Sequence, residues 1–150
     1  TYLPRREFAY QVDPLGALPF EPGFSATGLV ELLALGGTEL LAMERGFAQE
    51  AGGDRTVNRI RLFRVSLAGA TDISGFESIR GRRIVATRKT LLLDLGTVPG
   101  LSPELANLDN FEGMAFGPPL PGGGRTLIIV SDDNFNTRQR TSFLLFRADS

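Results

Sequence analysis

Three acids in the last third of the chain, Glu112, Asp132 and Asp133, are the side chains whose types and spacing best suit chemistry. They sit among three short apolar runs, residues 111–116, 127–131 and 142–146, which a Pro/Gly turn and an Asp/Asn-rich loop separate. Runs bounded in this way read as adjacent antiparallel strands. The start of one antiparallel strand lies beside the end of the next, so Glu112 and Asp132 are expected at one edge of a sheet.

The absence of certain residue types narrows what such acids can do. With no His and no Cys among its 150 residues, the chain holds no Ser-His-Asp triad, thiol nucleophile, imidazole base or Cys/His zinc site of its own. A general acid or base must be Asp, Glu, Lys or Tyr, and oxygen ligands favour a hard cation such as calcium. A net charge of −1 supplies no field for nucleic acid, and no apolar run approaches the length of a membrane-spanning helix. Apolar and charged fractions of 42% and 22% are those of a folded globular domain. The chain starts at Thr1 with neither an initiator Met nor an apolar signal core, so a longer gene product is expected.

The elements that would position these acids are strands. Residues 8–12 alternate and stop at Asp13-Pro14; residues 26–35 and 39–44 flank a turn at Gly36-Gly37. Residues 45–56 read as a polar loop. In residues 58–65, Ile60 and Leu62 alternate with Arg59 and Arg61, which predicts one buried and one wet face. Residues 83–87 and 90–95 are strand-like, and Ser102-Pro-Glu104 carries the N-cap, proline and acid of a short helix start.

The two halves are loosely alike. Leu40-Leu-Ala-Met-Glu-Arg-Gly-Phe47 matches Ile128-Ile-Val-Ser-Asp-Asp-Asn-Phe135, and Arg61-Leu-Phe-Arg64 matches Leu145-Phe-Arg147. The match sets Glu44 on Asp132. Repeated antiparallel units of three or four strands are the signature of β-propeller blades. The expected fold is therefore all-β, with four-stranded blades at about residues 24–95 and 107–150. The ring is incomplete, because propellers carry about four to eight blades. The second blade lacks a fourth strand, expected from the N-terminal part of the same gene product or from a companion chain.

Several stretches resemble the phytase-like family, the "esterase-like activity of phytase" domain of bacterial proteins. They are Asn110-Phe-Glu-Gly-Met-Ala-Phe-Gly-Pro118, Leu127-Ile-Ile-Val-Ser-Asp-Asp-Asn-Phe135, Gln139 to Phe146, Glu44-Arg-Gly-Phe47 and Lys89 to Leu95. The resemblance implies a propeller-like fold about twice this length, of which this chain is the C-terminal part. It also implies hydrolysis of phosphate or other esters, and a periplasmic, secreted or envelope-associated location.

On that reading Glu112 and Asp132 are the catalytic acids. Glu44, Glu112, Asp132 and Asp133 would hold a calcium ion that polarises a phosphoryl oxygen, while Arg45, Lys89 and Asn134 bind the anionic substrate. The plainer alternative is that Asp and Asn cap turns and that Glu44 pairs with Arg45. A non-catalytic propeller binding a ligand or protein at the same rim is the competing function. Other motifs fail: Asp132-x-Asn134-x-Asn136 lacks the Gly and Glu of an EF-hand, Gly122-Gly-Gly124 lacks the Lys of a P-loop, and no Gly-x-Ser-x-Gly elbow occurs.

Overall fold

A computed structural model describes residues 3, 5–101 and 108–149. The strands are β1 (Pro22–Gly36), β2 (Glu39–Glu50), β3 (Thr56–Ser66), β4 (Arg88–Asp94), β5 (Phe111–Pro119), β6 (Arg125–Ser131) and β7 (Phe143–Ala148), with a 3-10 turn at Leu95–Thr97 after β4. They form two antiparallel meanders, β1-β2-β3-β4 and β5-β6-β7, and neither sheet closes on itself. The fold is all-β and blade-like, an incomplete propeller-like arrangement. The helix start expected at Ser102 lies outside the described residues.

Turn chemistry explains the first hairpin. Gly36 and Gly37 both have positive φ, at 117° and 57°, which a chiral side chain resists and glycine adopts freely. Beyond it, β2 runs to Glu50 rather than ending at Glu44. Residues 45–50 therefore belong to the sheet and not to a polar loop; Gly46 pairs with Arg59, Phe47 with Asn58 and Ala48 with Val57. A Cβ on Gly46 would run into Leu15, so this glycine lets the N-terminal segment lie directly on the strand.

Two expected strands are absent as ladders. Residues 8–12 and 83–87 form no strand; one bond joins them, Thr87 N–H to the Ala9 carbonyl, and the Thr71 N–H donates to the Val85 carbonyl, each at 2.9 Å. The alternation of residues 8–12 serves a different purpose: it lays Tyr10 over the outer face of the first sheet, against Ala42, Phe63 and Val65.

The main core lies between the two sheets. Leu41, Met43, Ile60 and Leu62 face Phe111, Met114, Leu127, Ile129 and Leu144, with Leu95 and Leu108 closing it. Ile60 and Leu62 are buried as their alternation required. Arg61, on the expected wet face, is only 8% exposed, because the Asp13-Pro14 segment covers it and accepts its hydrogen bonds at both carbonyls (3.2 and 3.0 Å).

The two halves share topology without sharing register. Met43 lies opposite Leu62, yet of their matched residues, Leu145 lies opposite Ile128 and not opposite Ser131. The offset is odd, and an odd offset turns a side chain to the other face. Leu62 is accordingly 2% exposed and Leu145 66%. Phe143 and Leu145 face outward on β7, which among the described residues pairs with β6 alone.

Candidate functional site

The β2–β3 loop, the lead into β5 at residues 108–110 and the β6–β7 loop stand at one end of the two sheets, with most of the expected site residues. Strand alternation decides their company. Glu44 and Arg45 are consecutive on β2, so their side chains project from opposite faces. Arg45 points toward the second sheet and reaches Glu112 at 3.1 Å, an ion pair in which both side chains keep solvent contact, at 28% and 38% exposure.

Glu44 projects to the outer face, where it is 1% exposed. There Tyr10 donates its hydroxyl to Oε1 at 2.7 Å and Asp13 donates its backbone N–H to Oε2 at 3.1 Å. The Lys89 ammonium also binds Oε1, and Arg61 approaches Oε2 at 3.5 Å. Lys89 further contacts Asp13 at 2.9 Å and lies over the Phe63 ring, 4.4 Å from its centroid. The expected constellation is thus divided. Arg45 and Glu112 form one group at the loop end, and Glu44 and Lys89 belong to a covered cluster on the other side of the sheet. Glu44 does not pair with Arg45, since neighbours on a strand cannot face each other.

Burial, and then the bond to Glu44, hold the Tyr10 hydroxyl's pKa well above its ordinary 10.0. In the unfolded chain the phenol ionises near pH 10, whereas in the fold it stays protonated. This part of the stability is complete below about pH 10 and is lost as pH rises beyond it. Urea midpoints measured across that range should fall less steeply for Tyr10→Phe than for the wild type.

Beyond β6 the loop is organised by its own carboxylates. Asp132 accepts the Asn134 N–H at 2.9 Å. Asp133 accepts the Phe135 N–H at 2.9 Å and the Thr141 hydroxyl at 3.2 Å. The Asn134 side-chain amide donates to Gln139 at 3.2 Å. The capping alternative therefore describes one role of both aspartates. Asn134 and Phe135 are consecutive non-glycine residues with φ of 50° and 54°, a left-handed conformation that costs about 1–3 kcal/mol each. The strained loop presents the Phe135 ring wholly to solvent. Its placement at the start of β5 is direct: the Asp132 N–H donates to the Asn110 carbonyl at 2.9 Å.

Asp109 is the residue that sequence reasoning missed. It accepts from the Asn110 and Arg140 backbones and the Gln139 side chain, at 2.8, 2.9 and 3.0 Å, and so ties the β6–β7 loop to the lead of β5. An aspartate before a strand carries no local mark of a partner some thirty positions away. Neighbouring Asn110 is buried, with its side-chain oxygen unpartnered.

Among the described residues no three Asp or Glu side chains come together as a metal site. Glu44 already meets four donors, Glu112 is paired with Arg45, and Asp132 and Asp133 each hold a backbone N–H. Calcium prefers about six to eight oxygens, so these residues do not fit it. No described helix is long and apolar enough to cross a membrane.

Comparison with known proteins adds one finding. A family model for phytase-like sequences, described as esterase-like activity of phytase, matches residues 2–135. The match takes in both the β2 segment around Glu44 and the strained loop to Phe135, and it ends before the closing stretch at Gln139. No curated protein and no solved structure matches the chain.

Proposed function

Because the chain belongs to the phytase-like family, we propose that it is a hydrolase-like domain acting on phosphate esters or related anionic esters at the loop end of its two sheets. The observation that supports this most is the strained loop of Asp132 to Phe135 set beside a solvent-facing Arg45–Glu112 pair. Strain of this kind concentrates where a site needs a fixed, costly geometry.

In this reading Glu112 is the general base. It takes a proton from water as the water attacks the phosphoryl or acyl centre, and returns that proton to the alkoxide that leaves as the ester bond breaks, while Arg45 fixes the carboxylate's direction and offers its remaining N–H groups to the charge developing on the substrate. Asp132 and Asn134 border the same end. Lys89 is reassigned from substrate binding to the covered cluster. The domain would be part of a larger propeller, exported as its family suggests, whose fourth strand beside β7 comes from the N-terminal part of the gene product or a companion chain.

The proposal is tested by assaying the complete protein against phytate, a simple phosphate monoester and a carboxylic ester, with and without chelator. Glu112→Gln should lower kcat about a hundredfold with little change in KM. The same loss without chelator and with it would agree with chemistry from the chain's own groups. Turnover that Glu112→Gln leaves intact would sink the assignment. A wild type that binds these anions without turning them over would favour the non-catalytic propeller, a reading supported by how fully Glu44 and Asp133 are already engaged within the chain.

A further inference from the structure

At the end of the sheets opposite Glu112 and Asp132, the two sheets frame a cleft open to solvent, of about 490 Å³, lined by Leu35, Arg64, Phe116, Pro119, Arg125, Ala148 and Asp149, with Gly124 at the turn. Its size falls within the range of small-molecule sites. The walls are contributed by the last residues of β1, β3, β5 and β7 and by the first of β6, so the cavity is framed by strand ends and not by free loops. The Gly124 turn closes it from below. Gly124 has φ +76°, and a Cβ there would lie 2.9 Å from the Ala148 carbonyl oxygen and 2.8 Å from Asp149; only glycine lets the turn approach β7 this closely.

Arg125 is the unusual member. Its guanidinium lies over the Phe116 ring at 4.6 Å, which fixes the plane of the group. Among the described residues no acceptor takes its N–H groups. A second guanidinium, Arg64, enters from the other sheet and gives its Nε–H to Glu39 at 3.0 Å. Arg147 is bound to Asp149 at 2.7 Å. Among the described residues here, Arg64 is paired with Glu39 and Arg147 with Asp149, and Arg125 has no carboxylate of its own.

We infer that this cavity binds a small oxyanion carrying an apolar body, with the phosphate or carboxylate head on Arg125 and the body against Leu35, Pro119 and Ala148. A planar fork with its donors unspent suits two oxygens of one such head, and the stacked ring removes the entropy cost of aiming it. The apolar walls select against a bare ion. This site is separate from the proposed hydrolytic one and does not depend on it.

The test uses phenyl phosphate as probe, titrated into the whole chain and followed by amide NMR shifts and calorimetry. Saturable binding should shift Leu35, Gly124 and Ala148 and leave the loop end unmoved. Inorganic phosphate and phenol should each bind about tenfold more weakly, because each offers half of the recognition. Arg125→Gln should weaken phenyl phosphate by about tenfold. Arg125→Lys should recover only part of that, since an ammonium keeps the charge and loses the stacked fork. Arg80→Gln, exposed on the β3–β4 loop and outside the cavity lining, serves as the charge control. Shifts confined to the loop end, equal affinity for inorganic phosphate, or a loss at Arg125→Gln no larger than at Arg80→Gln would each overturn the site.

Discussion

Replacing Glu44 by alanine should lower the free energy of unfolding by about 3–5 kcal/mol, the usual result of removing one partner from a buried charge cluster. The carboxylate is 1% exposed, and its partners Arg61 and Lys89 have side chains only 10% and 14% exposed, so screening by water offers little relief. Without Glu44 two cations, a phenol and a backbone N–H lose their shared acceptor at once. Urea denaturation followed by circular dichroism measures the loss. Glu44→Leu combined with Lys89→Met should restore much of the stability, because it removes one stranded charge along with the bond, while Arg61 keeps the Asp13 and Pro14 carbonyls. A loss below about 1 kcal/mol for Glu44→Ala would mean that water reaches the cluster freely, as it does at exposed ion pairs.

Phe111→Ala should cost a similar amount, about 3–5 kcal/mol, through lost burial and the cavity it leaves. Phe111 is fully buried in the core that joins the two sheets, and its backbone lies opposite Ser131. Its neighbour Glu112 carries the bond to Arg45. Destabilisation here should therefore also loosen the loop-end pair, so the turnover proposed for that end, measured well below the unfolding midpoint, should fall. Phe111→Leu, which fills most of the space, should recover the larger part of both losses. A variant that kept its stability would place the core's centre elsewhere.

Much of the fold was legible because its signals are local. Gly36-Gly37 marks a tight turn, Ile60 and Leu62 mark a buried face, and the Pro/Gly stretch between Phe116 and Leu127 marks the second hairpin. Strand ends were less legible. Nothing within residues 45–50 announces that Leu15 will cover Gly46, and without that cover the stretch reads as polar loop. The site was half legible for the same reason. Alternation states that Glu44 and Arg45 part company, but which face is dry depends on a segment thirty positions earlier. The match between the halves sets Glu44 on Asp132, and a match along the chain is blind to pairing across strands: the odd offset between Met43–Leu62 and the pairing of Leu145 is invisible until both sheets are built.

The strap of residues 10–15 over the outer face also bears on the order of assembly. Hairpins such as β1–β2 close short loops, whereas Glu44 meets Asp13, Tyr10 and Lys89 across 31, 34 and 45 positions. Closing those longer loops costs entropy before any contact returns it. The sheet should therefore form first and the strap settle on it afterwards. Seen in kinetics, Glu44→Ala should hasten unfolding and leave the refolding rate nearly unchanged, with a φ-value near zero. The clasp that most stabilises the finished first sheet would then be the last part to close and the first to let go.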